Sequence, residues 1–375
     1  MHNNQLISDL VSISSWAGAD EDFVQAGGGN TSVKDKNKML IKASGFKLSE
    51  INKHNGYVEV DIEKTIELIN NQEEFNKYPP KERDKLIISE VQKTVVNDNG
   101  LRPSVESFLH ALLGKIVIHT HPVLTNAICC VENCEKILDD LFFDDVLFVP
   151  YSTPGYPLAC LMKEKVDEFF NKKNHLPQIV FLGNHGLFIC GNSVDDAISR
   201  MNNVITTIEK FLKLDKSENK LKVIFKEDKS ISLNNWYNLY RHYVKDSYLT
   251  LIKNESVSTI DLIKSPPLYP DYIVYCGKNY FSSKNLEITD ETKLNFKKFI
   301  DENGNIPSII YCDDGNIIFM GKSKQHVESI KSVFIAHAKT VLLGKRIGKL
   351  TPLKREEIEY IDNWESEKYR KNLLL

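Results

Sequence analysis

No run of apolar residues in this chain is long enough to cross a bilayer. The longest, such as Gly114–Ile118 and Ile179–Gly183, fall far short of the roughly 20 residues a spanning helix needs. The start, Met1-His-Asn-Asn-Gln5, has no basic region ahead of an apolar core, so no secretory signal is expected. No pair among the seven cysteines has C-x-x-C spacing, which favours reduced thiols in a cytoplasmic protein over a disulfide framework. Cys129, Cys130 and Cys134 fall on one expected helix, but three thiolates would make a closed structural metal site, and they are read as core. Neither sign of charge is in excess: 48 Lys and Arg stand against 51 Asp and Glu, a net −3. That balance points to no nucleic-acid partner and no membrane partner. No G-x-G-x-x-G follows a strand anywhere, so NAD is not expected as a cofactor. What is left is ordinary globular composition, 42% hydrophobic and 26% charged over 375 residues, enough for a large core.

Against that plain background stands His119-Thr-His121 at the end of an apolar run. Residues i and i+2 of a strand point to the same side, so both imidazoles can address one point. A third histidine lies in the turn-like Gly183-Asn-His185-Gly186. Three neutral nitrogen ligands suit zinc with a position left open for substrate, as in catalytic rather than structural sites. The other reading is an edge strand with two surface histidines.

Further motifs run in order along the chain: Gly27-Gly28-Gly29-Asn30-Thr31-Ser32, Lys42-Ala-Ser44-Gly45, Pro103-Ser104-Val105-Glu106 with His110 four residues on, His119-Thr-His121-Pro122, Pro150-Tyr151-Ser-Thr-Pro-Gly155 and Asn184-His185-Gly186. Their order and spacing resemble the class II aldolase/adducin family of sugar-phosphate aldolases and epimerases. In particular they resemble the aldolase part of bifunctional rhamnulose-1-phosphate aldolase/lactaldehyde dehydrogenases, without the dehydrogenase domain. The resemblance covers nearly the whole chain. It is far more specific for the family than for the reaction.

The resemblance implies an α/β fold: a three-layer α/β/α sandwich around a central, mostly antiparallel sheet, with a degenerate second α/β module. It implies His119, His121 and His185 as ligands of Zn2+, or of another divalent metal, and Glu106 as the catalytic acid/base. It also implies Gly28, Gly29, Asn30, Ser44, Gly45 and Ser104 as the cradle for a substrate phosphate, where glycine lets backbone N–H groups approach oxygens and hydroxyls add donors. The plainer alternatives are a tight glycine turn and a glutamate that only stabilises a helix start. The expected activity is zinc-dependent, reversible aldol cleavage of a sugar phosphate or related sugar derivative through a metal-stabilised enediolate. Epimerisation, dehydration or decarboxylation at the same site, and an adducin-like interaction protein without catalysis, are the alternatives. A homo-oligomer in the cytoplasm, with a small-molecule sugar derivative as partner, completes the expectation.

Two departures matter. The fuculose-phosphate type has two serines before the glutamate, whereas here Ser104 is followed by Val105, so Lys42 or Lys47 is a candidate replacement. No tyrosine lies between His121 and Tyr151 to donate a proton, leaving Tyr151 and Tyr156 as candidates. His110, one turn past Glu106, is a candidate to orient it.

Hydrophobic spacing predicts helices over Leu6–Ala17, 61–75, 80–97, from Ser104 through His110, Asn126–Leu138, 160–171 and Asp195–Leu214, and strands over Ile116–His121, Val146–Pro150, Gln178–Leu182 and Leu187–Cys190. Ser104 is the expected cap of the Glu106 helix. The charged stretch Lys213–Lys222 is the expected junction between a catalytic domain, 1–222, and a packing or assembly module, 223–375. The module reads as a worn internal repeat: Gly321-Lys-Ser323 aligns with Gly191-Asn-Ser193, which sets Gly315 opposite His185. The stripe Val327, Ile330, Phe334 and Val341 is expected to face the first domain or another subunit.

Overall fold

The computed structural model describes residues 2–97, 99–143, 146–214, 225–227, 231–244, 247–254, 261 and 264–364. The first sheet contains β1 (Asn30–Asp35), β2 (Lys38–Lys42), β3 (Tyr57–Asp61), β4 (Ile116–Thr120), β5 (Leu147–Val149), β6 (Ile179–Leu182) and β7 (Gly186–Gly191). Their order across it is β3-β2-β1-β4-β7-β6-β5. All neighbouring pairs are antiparallel except β5 with β6. β4 is central and buried at every position, Ile-Val-Ile-His-Thr, as a strand covered on both faces requires.

Its side chains alternate between two cores. Ile116 and Ile118 join Leu10, Ile13, Met201 and Val204 from the helices His2–Ala17 and Val194–Phe211. Val117 joins Ile87, Val91, Met162 and Val166 from Pro80–Lys93 and Tyr156–Lys173 on the opposite face. The expected three-layer α/β/α sandwich is therefore present. No helix among the described residues is long and apolar enough to cross a membrane.

A second sheet contains β8 (Phe225–Glu227), β9 (Tyr248–Asn254), β10 (Phe281–Ser283), β11 (Ile309–Cys312) and β12 (Asn316–Gly321), in the order β10-β11-β12-β9-β8. It repeats the first sheet in register. Ile179 pairs with Ile189, and Ile309 with Phe319, a constant offset of 130 residues. Ser193 and Ser323, related by the same offset, each cap the following helix by accepting from the backbone N–H three residues on. Phe188 faces His119, and its counterpart Ile318 faces Leu251. Leu251, Lys253 and Gly315 thus stand where the first module has His119, His121 and His185. That donor set holds no metal.

The structure corrects three local expectations. The Asn126–Leu138 helix is two helices, Val123–Cys129 and Cys134–Phe142, separated where Asn133 turns left-handed (φ 61°). Glu106 is not in the first turn of a Ser104-capped helix. The helix is Ser107–Ala111, and Glu106 precedes it with φ −89° and ψ 6°. Ser104 Oγ accepts the Glu106 N–H at 3.2 Å, so it pins the bend that turns the glutamate inward. The stripe Val327, Ile330, Phe334 and Val341 packs chiefly under its own sheet with Ile309, Ile317 and Phe319. The 24-residue helix Lys324–Ile347 lies between two layers and needs two apolar faces. Its other face presents Ala336 and Leu343 to Val123 and Ala127 of the first module. Most of the expected junction Lys213–Lys222 lies outside the described residues.

Candidate metal and active site

β4 delivers His119 in its last turn of pleat and His121 just past its end, while the β6–β7 turn delivers His185. Asn184 adopts a left-handed conformation (φ 51°) immediately before His185, which short polar residues tolerate. The donor atoms of Glu106, His119, His121 and His185 all lie within 4.8 Å of one another, and all four residues are buried.

Hydrogen bonds fix which ring nitrogens face inward. His119 Nδ1 donates to the Leu187 carbonyl at 3.0 Å, and His121 Nδ1 donates to Asp271 Oδ2 at 2.5 Å. In neutral rings their Nε2 atoms carry lone pairs, and they face each other at 3.0 Å. Two lone pairs at that distance repel unless a cation or a proton lies between them. Glu106 Oε1 lies 3.4 Å from His119 Nε2 and 3.3 Å from His185 Nε2. Around a metal with bonds of about 2.1 Å, tetrahedral donors are separated by about 3.4 Å. The spacing and chemistry of this set fit a divalent metal.

Burial alone would raise the Glu106 carboxyl pKa, but the charges and hydrogen bonds of His119 and His185 outweigh it and hold the group well below the usual carboxylate range. A cation among the imidazoles acts in the same direction. Asn30 Nδ2 donates to Glu106 Oε2, which leaves Oε1 to face the histidines. Phe188 stacks flat on His119, with ring centroids 4.0 Å apart at 14°.

His110 does not orient Glu106. Its Nδ1 pairs with Ser32 Oγ at 2.8 Å and its ring edge meets Phe188. Burial first, then the charges of Lys34 and His119, keeps it well below the usual histidine range. Lys42 Nζ is committed to the carbonyls of Gly27 (3.3 Å) and Phe46 (2.7 Å), tying two loops together. Tyr156 donates its hydroxyl to Leu68 O, and neither it nor Tyr151 lines the pocket beside the four donors.

Of the expected cradle, Gly28 and Gly29 line that pocket. Asn30 and Ser104 reach Glu106 instead. Ser44 and Gly45 follow the bridge between Ala43 and Pro103, with Ser44 N–H on Arg102 O. The far wall was not foreseen: Asp271, Val274, Ile361 and Trp364 close the pocket from the second module.

Gly186 shows how little room the site has. A Cβ there would come 2.6 Å from Thr120 O and 2.7 Å from His121 Cδ2. Gly186→Ala is expected to cost about 1–3 kcal/mol by overpacking and to displace His121. Bound metal should fall although all four donors remain. Full metal content in that variant would show that His121 does not need this packing.

The profile of the Class II Aldolase and Adducin N-terminal domain matches residues 8–212. The chain belongs to that family. It is 28% identical over 218 residues to an uncharacterized oxidoreductase, YuxG, of Bacillus subtilis, covering 55% of this chain and 29% of that protein's length. Among solved structures it is similar to the N-terminal class II aldolase domain of a conserved protein from Thermoplasma acidophilum, at 27% identity, TM-score 0.46, and coverage of 55% of this chain and 93% of that one. It is also similar to a sugar-phosphate aldolase from Thermotoga maritima, at 15% identity, TM-score 0.41, and coverage of 57% and 96%.

Proposed function

We propose that the protein is a zinc-dependent lyase that carries out reversible aldol cleavage of a sugar phosphate or related sugar derivative. The observation that carries this reading is the convergence of three Nε2 atoms and one carboxylate oxygen at one buried point beside a pocket. A scaffold without catalysis has no use for a buried carboxylate and three buried histidines whose donor atoms converge on one point. Zinc in this set would supply Lewis-acid withdrawal of charge from a substrate's carbonyl and hydroxyl oxygens.

The rest falls to the chain's own residues. Glu106 lines the pocket, and its carboxylate takes or returns the proton on the carbon beside the carbonyl, as general acid/base chemistry requires. Asn30 keeps the other oxygen occupied, so the carboxylate cannot rotate away. The walls formed by Val274, Ile361 and Trp364 exclude water from the reacting carbon. Gly28 and Gly29 line the pocket and supply backbone donors for the substrate's anionic end, with Asn30, Ser44, Gly45 and Ser104 as the rest of the proposed cradle. In this reading residues 1–222 form the catalytic domain, and residues 223–375 are a degenerate second module with no metal set of its own, in a homo-oligomer.

Purified protein should contain one zinc per chain, since the second module carries Leu251, Lys253 and Gly315 at the ligand positions. Elemental analysis giving two would refute the assignment of a single site, and none would refute the metal reading. Zinc-loaded protein incubated with dihydroxyacetone phosphate and a panel of aldehydes should form carbon–carbon bonds, and chelation should stop the reaction. Zinc-loaded protein inert to the whole panel would overturn the aldolase assignment.

A further inference from the structure

His121 and Asp271 are 150 residues apart and come from different modules, yet they make a short, buried hydrogen bond. Asp271 lies on the helix Pro270–Cys276. Its Oδ2 meets Nδ1 of the ring, while Nε2 on the other edge faces His119. Asp271 is thus outside the donor set itself and directly behind one of its members.

The surroundings are shaped for this pair. A Cβ on Gly28 would come 3.0 Å from Asp271 Oδ2 and 3.3 Å from His121 Nδ1, so the glycine loop leaves the space in which the two meet. One turn along the same helix, the Tyr275 hydroxyl accepts the Gly27 N–H at 3.0 Å, locking loop and helix together. The second module also braces His185. Asn184 Nδ2, on its neighbour, donates to Leu268 O at 2.8 Å and Thr351 O at 2.7 Å.

We propose that Asp271 is a positioning residue that completes the metal site from the second module. Its carboxylate accepts a hydrogen bond from His121 Nδ1–H, favours the tautomer with Nε2 unprotonated, and sets the ring plane that turns Nε2 toward the other donors. A histidine ligand held by a carboxylate on its other nitrogen is more basic and better aimed, and losing such a partner typically weakens metal binding by about 10–100-fold. The module that lost its own ligands therefore acts on the site of the first. This inference rests on the metal reading proposed above.

The test measures Zn2+ affinity of the full-length chain by competition with a chromophoric chelator, for wild type, Asp271→Ala and Asp271→Asn. Asp271→Ala should bind about 10–100-fold more weakly. Asp271→Asn should recover part of that loss, because its amide oxygen still accepts from Nδ1. Nitrogen-15 spectra of histidine-labelled, metal-free protein supply a readout that a purely structural role would not move. Wild type should show His121 as the Nδ1–H tautomer, and the alanine variant should lose that preference. Affinity within twofold of wild type in both variants would overturn the positioning role. If Asp271→Ala does not fold, Asp271→Asn decides alone: weakened binding supports the proposal, and unchanged affinity overturns it. A wild-type chain that takes up no Zn2+ would instead sink the metal reading, and the tautomer spectra would then decide the positioning role.

Discussion

His185→Ala is expected to abolish turnover and to leave the purified protein with little or no bound zinc. The other three donors stay in place: His119 is held by Leu187 O and stacked under Phe188, His121 is held by Asp271, and Glu106 is held by Asn30. The loss would therefore report on ligand number and not on collapse of the site. Three protein nitrogens leave no redundancy, and removing one exposes the metal to exchange with solvent. His185 also separates metal binding from folding better than the other two, because its β6–β7 turn is held by backbone bonds and by Asn184 rather than by the imidazole. The variant should melt near the temperature of metal-free wild type. Full zinc occupancy with full activity in His185→Ala would remove His185 from the site. A collapsed variant would show that the ring is needed for the fold.

The first sheet and its metal candidates were legible because they rest on local patterns. His119 and His121 sit two apart on a strand whose apolar run announced it, and two apart means one face. His185 sits between glycines in a tight turn, a position that sequence alone marks as special. The repeat was visible as well, because Gly321-Lys-Ser323 aligns with Gly191-Asn-Ser193, and the structure extends the same offset to the caps and to Ile179 with Ile309. What escaped was everything set by distance. Asp271 is one acidic residue in a Pro-Asp-Tyr stretch, and only the packing of the second module against the first brings it to His121. His110 lies one turn past Glu106, with its N–H on the Glu106 carbonyl, but its ring pairs with Ser32 of the neighbouring strand instead. The break at Asn133 hid for a related reason. Apolar spacing continues through it, and the left-handed residue costs little when it is asparagine. The long helix Lys324–Ile347 misled because a one-faced stripe was read where two layers compete for it.

Glu106→Gln should lower turnover by roughly 100-fold or more while the chain keeps its fold and most of its metal. The size and planarity of the side chain are preserved, so Ser104 still accepts the backbone N–H at position 106. The hydrogen-bond pattern then forces the orientation of the new amide. Asn30 Nδ2 is a donor, so the amide oxygen must turn to it, as Oε2 does in the wild type. That leaves the NH2 group on the side where Oε1 faced His119 and His185. An NH2 group neither accepts a proton nor coordinates a metal, and any share of the metal's holding contributed by Glu106 is lost together with the base. Comparing Glu106→Asp separates the two effects. It restores a carboxylate about one methylene short of its place, so it should recover metal affinity less well than wild type and recover turnover least, because proton transfer is the step most sensitive to distance. The measurements are metal affinity by chelator competition and turnover on any substrate the aldehyde panel identifies. Turnover near wild type in Glu106→Gln would make Glu106 structural, and the base would have to be sought elsewhere in the pocket.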